Sequence, residues 1–371
     1  MSFWKKFKND PVLYCAWILA FVSAFFVRPN KDYIGYIDFR SLGILWGLMV
    51  IIQGFKENAV FEKIGQLLLG KVKKAWQLSA ALIFICFVSS MFITNDVALI
   101  TFVPFAMLVL KSCNREDLMI PVIVLQTVAA NLGSMSTPIG NPQNLYLYGL
   151  TQMPLPEFVL CMLPYTLLAA VLLILTMILL PGKKKAVAME SDFMVIKSFG
   201  SKKQIIVYLV LFAVAFLTVL RVLPWQAMVV VVLLVVAGMD FKILFRADYM
   251  LLLTFVGFFI FTGNMARIDA VKEVLQSLTA GKEFFVAVGL SQVVSNVPAT
   301  LMLSGFTENY KELLLGVNVG GLGTLIASMA SLISFKFFSR EYKEKTGSYV
   351  MYFTLINVAF LAVFIAIHVC L

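Results

Sequence analysis

The stretch NLGSMSTPIGNPQN, Asn131 to Asn144, interrupts a long apolar run and cannot stay helical through its length. Gly133 and Gly140 are permissive, whereas Pro138 and Pro142 lack a backbone donor and disfavour helix in the residue before each. A helix that opens partway across a membrane leaves carbonyl groups free to hold a cation. The N-terminus of the next half-helix leaves N–H groups free to hold an anion. Ser134, Ser136, Thr137, Asn141 and Asn144 add neutral hydroxyl and amide groups. Small residues also line close helix contacts in membranes, but packing alone asks for neither two prolines nor three asparagines.

The setting follows from composition. Of 371 residues 61% are hydrophobic and 13% charged, with mean hydropathy +0.93. A soluble domain of this length would expose most of that apolar surface. The formal charge of +10 is carried by short basic clusters between apolar runs, an orientation signal rather than a nucleic-acid stripe. The five cysteines are scattered without a CxxC pair and read as apolar filler. One histidine, His368, leaves little for a His-based metal site or catalytic triad, so neither cofactor nor enzyme is expected.

Runs of spanning length fall at 11–29, 38–55, 118–143, 157–180, 205–221, 225–241, 247–263, 312–335 and 348–370. The first lacks a small-residue cleavage site and reads as a retained helix. Two more runs, 76–110 and 283–305, are broken near their middles by Thr94-Asn95-Asp96 and Ser295-Asn296-Val297-Pro298. They read as re-entrant hairpins with polar tips at membrane depth, tolerated where backbone lines a cavity or is buried in protein. With the N-terminus cytoplasmic and the C-terminus external, every large basic cluster falls inside. The segment Asn144–Glu157, without Lys or Arg, reads as an external loop.

A second string, NVGGLGTLIAS at 318–328, aligns with NLGSMSTPIGN at 131–141. Asn131 meets Asn318, Gly133 meets Gly320, Thr137 meets Thr324 and Ile139 meets Ile326. Each string follows a hairpin, and each hairpin follows a span and an amphipathic stretch, QGFKENAVFEKIGQLLL in one half and FTGNMARIDAVKEVLQSL in the other. The first hairpin would enter from the cytoplasm and the second from outside, the arrangement of an inverted-topology repeat. The chain divides accordingly into a first repeat at 1–181, a basic cytoplasmic linker at 182–204 and a second repeat at 205–371. Within them the hairpins lie at 76–110 and 283–305, and the broken helices at 118–144 and 312–335. The expected fold is an all-α polytopic membrane protein.

Asn95 and Asn296 occupy equivalent tips, and Asp96 breaks the symmetry because its counterpart is Val297. A carboxylate at the bilayer centre costs roughly 2.5–3.5 kcal/mol even on the mildest scale, so it faces a cavity or a partner. No Lys or Arg falls in any span core to pair with it. It is expected to carry a coupling proton or to bind Na⁺. Gly320, Gly321 and Thr324 offer the second string as a site or as a packing surface. Candidate Na⁺ positions lie near Asn95, Asp96, Gly133 and Thr137, and near Asn296, Gly320 and Thr324.

TNDVALITFVPF followed by NLGSMSTPIGNPQN, with SNVPATLML and NVGGLGT in the second half, resembles the ion transporter superfamily. That superfamily includes citrate transporters, divalent anion/sodium symporters, arsenite permeases and a group of bacterial Na⁺/H⁺ antiporters. The resemblance implies an elevator-type secondary transporter of the inner membrane, often dimeric, whose hairpin tips and broken helices form a mobile domain against a scaffold. In the dicarboxylate branch each tip reads Ser-Asn-Thr. Here the Asn role carries over to Asn95 and Asn296, the Thr role is absent, and the Asn-Asp tip is similar to that of the arsenite permeases. The expected function is transport of a small anion, a carboxylate of the citrate or dicarboxylate type, coupled to Na⁺ or H⁺. Arsenite or antimonite efflux and Na⁺/H⁺ antiport are the alternatives, with a passive channel or a membrane enzyme as outsiders.

Overall fold

The computed structural model describes residues 11–69, 72–180 and 200–370. The described residues are helical almost throughout. The helices of the first half are α1 Pro11–Phe26, α2 Asp32–Tyr36, α3 Phe39–Glu57, α4 Val60–Leu69, α5 Ala75–Ser89, α6 Asn95–Ser112, α7 Met119–Ser134, α8 Pro142–Thr151 and α9 Leu155–Ile178. Those of the second are α10 Lys202–Val219, α11 Trp225–Leu244, α12 Tyr249–Met265, α13 Asp269–Thr279, α14 Glu283–Val294, α15 Asn296–Leu303, α16 Tyr310–Val319, α17 Met329–Glu341 and α18 Thr346–Cys370.

Local chemistry sets several starts. Asp38 caps α3 by accepting from Ser41 N, Asn141 caps α8 by accepting from Asn144 N, and Asp248 caps α12 by accepting from Met250 N and Leu251 N. Pro142 stands at the first position of α8, where its missing donor costs nothing.

Burial sorts the helices. The segment Glu116–Ser134, which contains α7, is 83% buried over its apolar window, whereas the segment containing α18 is 22% buried and α10 and α11 are each 28% buried. A helix apolar on all sides and enclosed by others is a bundle core. α5, α6, α9, α17 and α18 surround α7. The exposed large side chains of the outer helices, Leu160, Leu167, Leu209, Leu234, Met351 and Leu355 among them, form a lipid-facing surface. A second group packs around α3, which lies against α10 and α11, while α1 lies along α12.

Among the described residues seven helices are long and apolar enough to cross a membrane, or eight if the α12–α13 pair, bent by 105°, is one broken span. The nine-span reading changes in several places. α1 has only 16 residues. The run at 312–335 is two helices, α16 and α17, parted by residues 320–328. The second arm of the first hairpin, α6, has 18 residues and is itself long enough to span, rather than a half-length arm. The second hairpin keeps short arms, α14 and α15, joined at Ser295 with φ +78°. The expected loop at Asn144–Glu157 is instead mostly α8, buried from Pro142 to Gly149. The Asn141 cap and Pro142 start this helix, and Gln152, in the left-handed region, ends it. Most of the linker at 182–204 lies outside the described residues, and Lys202 already belongs to α10.

Candidate functional site

Two non-helical segments meet at the centre of the molecule: 135–141 between α7 and α8, and 320–328 between α16 and α17. Each is held by the hairpin beside it through matching contacts. Asn95 N donates to Gly140 O at 3.1 Å, and Asn296 N donates to Ala327 O at 3.0 Å. Thr137 Oγ1 donates to Met91 O, and Thr324 Oγ1 donates to Gln292 O at 3.1 Å. A Cβ on Gly133 would lie 2.6 Å from Ser90 Oγ, and one on Gly320 would lie 2.7 Å from Ser291 Oγ. In the alignment of the two strings every one of these contacts has its counterpart in the other half. Gly133 and Gly320 are thus glycines because a hairpin arm passes too close for a side chain.

The two strings also bond to each other, and reciprocally. Asn131 Oδ1 accepts from Ser328 Oγ at 3.0 Å, and Asn131 Nδ2 donates to Ser331 Oγ at 3.3 Å and to Gly321 O at 3.4 Å. Conversely, Asn318 Oδ1 accepts from Asn141 Nδ2 at 3.0 Å, and Asn318 Nδ2 donates to Asn144 Oδ1 at 2.7 Å. Asn131 aligns with Asn318, Asn141 with Ser328 and Asn144 with Ser331, so each asparagine bonds the aligned counterparts of the residues that the other bonds. Asn95 Nδ2 joins this network at Asn131 Oδ1, 3.1 Å away. Asn144 Nδ2 bridges the carbonyls of Ser134, Met135 and Thr137 at 3.2–3.4 Å, and Ser134 Oγ accepts from Asn141 Nδ2 at 3.3 Å. Ser136 Oγ turns back to Gly133 O at 2.7 Å.

The network is buried: Asn95, Asn131, Ser134, Asn141, Asn144 and Asn318 are each at most 5% exposed. Buried amides of this kind are costly unless paired, and here they pair with one another. The N-termini of α6, α8, α15 and α17 all begin at these contacts, which places four positive helix ends around two opened strings.

Asp96 sits apart from the asparagines. It is half-buried, its N–H donates to Asn95 Oδ1, and it forms no ion pair among the described residues. It faces a cavity of about 280 Å³ lined also by Thr94, Gln53, Lys56, Pro142, Arg246 and Asp248. Two larger cavities, of about 580 and 500 Å³, lie beside His368 and between α6 and α17, away from both strings. The expectation that no cation stands near the site is corrected by this cavity. Lys56 ends α3 and Arg246 follows α11, and both were read as members of loop clusters. Tertiary packing turns those helix ends onto Asp96. Arg246 also pairs with Glu57.

Sequence reading missed Gln292, whose Nε2 donates to Gly320 O and Leu322 O at 3.0 Å and whose Oε1 accepts from Thr324 N at 2.9 Å. Its place three residues before Ser295 was the available signal. Ser328 and Ser331 were also missed, although alignment with Asn141 and Asn144 pointed to them. Val297 is buried and offers no polar group.

A sequence profile described as citrate transporter matches residues 3–310. An uncharacterized transporter of Methanocaldococcus jannaschii is 32% identical over 304 residues, covering 81% of each chain. The inner membrane protein YbiR of Escherichia coli is 29% identical over 344 residues, 91% of this chain and 90% of that one. The silicon efflux transporter LSI3 of Oryza sativa subsp. japonica is 29% identical over 140 residues, 38% of this chain and 28% of that protein.

Proposed function

Because the chain belongs to the citrate transporter family, we propose that it is a secondary active transporter of a small anion, a carboxylate of the citrate or dicarboxylate type, coupled to Na⁺ or H⁺. The reading is carried by the reciprocity of the central network. Asn131 bonds Ser328 and Ser331 in the second half, while its counterpart Asn318 bonds Asn141 and Asn144, their counterparts in the first; such matched crossed contacts are what a pseudo-twofold axis between two repeats produces. Repeats of opposite orientation, with the binding site where they meet, are a frequent transporter plan.

In this scheme the moving body contains α5–α8 and α14–α17, and α1, α3 and α10–α12 form the scaffold. The cavity at Asp96 lies on the boundary, with Gln53, Lys56 and Asp248 on one side and Thr94, Asp96 and Pro142 on the other. Sliding of the first body along the second would carry the site from one membrane face to the other, the elevator mechanism. The helix N-termini and the bared carbonyls hold anion and Na⁺ around Asn95, Gly133 and Thr137, and around Asn296, Gly320 and Thr324. Asp96 exchanges the coupling cation, and Lys56 and Arg246 attract the anion to the cavity. The basic clusters support a cytoplasmic N-terminus, and the name of the YbiR relative supports the inner membrane.

A second reading, efflux of a small neutral hydroxide such as arsenite or antimonite, is favoured by the Asn95-Asp96 tip and by the similarity to a silicon efflux transporter. Proteoliposomes holding the purified protein separate the two. Accumulation of labelled citrate or succinate on imposing a Na⁺ or pH gradient supports the first reading. Gradient-driven export of arsenite with no carboxylate flux would replace it with the second.

A further inference from the structure

Arg40, in the first turn of α3, is an anomaly. Its Nη1 and Nη2 are both buried, and neither has a hydrogen-bond partner among the described residues. Its charged neighbours are Arg221 and Asp38. Asp38 is already engaged, since its carboxylate accepts from Ser41 N at 3.0 Å and from Ser41 Oγ. Arg221 is engaged as well: it donates to the carbonyls of Tyr148 at 2.7 Å, Gln152 at 2.9 Å and Met153 at 3.2 Å, and lies 4.5 Å from the centroid of the Tyr148 ring. Two guanidinium groups therefore meet at the C-terminal end of α8, one saturated by carbonyls and the other without an acceptor. A buried charge left in this state is costly. Gly149 on α8 is what covers it, because a Cβ there would lie 2.7 Å from Nη1.

We propose that Arg40 is an anion-binding residue, masked by α8 in this conformation and uncovered to take a carboxylate or similar oxyanion when α8 moves along α3. The proposal rests on the transport reading above, which places α3 in the scaffold and α8 in the moving body. The planar fork of Nη1 and Nη2 matches the two oxygens of a carboxylate, and Arg221 beside it adds a second positive charge. The position is distinct from the cavity at Asp96. Arg40 and Lys56 stand at opposite ends of α3, roughly 24 Å apart at 1.5 Å per residue. Arg40 would thus collect the anion at one membrane face and the Lys56–Arg246 end would serve the other.

The test compares wild type, Arg40→Gln and Arg40→Lys in oriented proteoliposomes, with citrate presented from either face. The expected result is a rise in KM of about tenfold or more for Arg40→Gln at the face bearing the α3 N-terminus. KM at the other face should stay within about twofold, and Arg40→Lys should fall between. An unchanged KM, or equal losses at both faces, would overturn the proposal while leaving carboxylate transport standing. Should the wild type move no carboxylate, the transport reading fails, and Arg40 is then judged by thermal stability in sulfate against chloride at equal ionic strength. Stabilisation by sulfate that disappears in Arg40→Gln supports the anion role, and stabilisation equal in both proteins, or absent from both, overturns it.

Discussion

At the scale of the residue, the asparagines and the aspartate do different work. Asn131 and Asn318 join two strings that are separate in sequence. Removing either leaves buried partners unpaired, at about 1–3 kcal/mol for each unsatisfied group. Asn131→Ala, which orphans Asn95 Nδ2 and Ser328 Oγ, is expected to lower the thermal midpoint more than Asn95→Ala does. A double-mutant cycle of Asn131→Ala with Asn318→Ala should give a coupling energy of about 0.5–3 kcal/mol, because the two side chains share one network. A coupling near zero would mean that the strings are fixed independently. Asp96 has no such structural duty, since it makes no ion pair among the described residues and faces a cavity. Asp96→Asn should therefore leave the thermal midpoint nearly unchanged while reducing gradient-driven flux about tenfold or more and flattening its pH and Na⁺ dependence. Retained coupling in that variant would remove Asp96 from the mechanism. The asparagines and Asp96 stood out in the sequence because polar groups in an apolar run ask for a reason. Gln292, Lys56 and Arg246 did not, because their importance lies in what folds against them.

Among the elements, glycine sets how closely helices approach. On α3, a Cβ at Gly54 would lie 2.2 Å from the Tyr208 ring of α10, and one at Gly47 would lie 2.6 Å from Met228 Sδ of α11. Tyr208 and Met228 are both fully buried, but the Tyr ring is rigid whereas the unbranched Met side chain can change rotamer. Gly54→Ala is thus expected to cost about 1–3 kcal/mol by overpacking, and Gly47→Ala less. Denaturation midpoints of the purified proteins measure the difference, and a reversed order would place the rigid contact elsewhere. Most of the spanning helices were legible from the length of the apolar runs, and the breaks in two of them from prolines and polar residues. The segment α8 was not, because its run is short and polar enough to resemble a loop. Only enclosure by α3, α15 and α16 makes it a buried helix.

For the whole molecule, the proposed inverted repeats make a prediction about sidedness. Single cysteines at Lys74 and Ser112, at the base of the first hairpin, should react with an impermeant thiol reagent from one face of the membrane. Single cysteines at Lys282 and Glu308, at the base of the second, should react from the other face. Labelling of all four from one face would overturn the inverted arrangement. The reciprocal bonds Asn131–Ser328 and Asn318–Asn141 already join the two halves, and they explain why a chain this apolar can bury so many amides.

Sequence alone sufficed to mark this as a polytopic membrane protein, because hydropathy over a span and helix-breaking residues act locally and need no knowledge of neighbours. It also marked Asn95, Asp96, Asn131 and Asn318, since an uncompensated polar group in an apolar run is costly wherever the chain goes. It took the folded molecule to show that Asp96 lines a cavity, that α6 runs at full spanning length, and that Lys56 and Arg246 line that same cavity while Arg40 lies covered by Gly149. Those outcomes depend on which helix faces meet across the whole length of the chain, and electrostatic fields and steric closeness act through space rather than along the sequence.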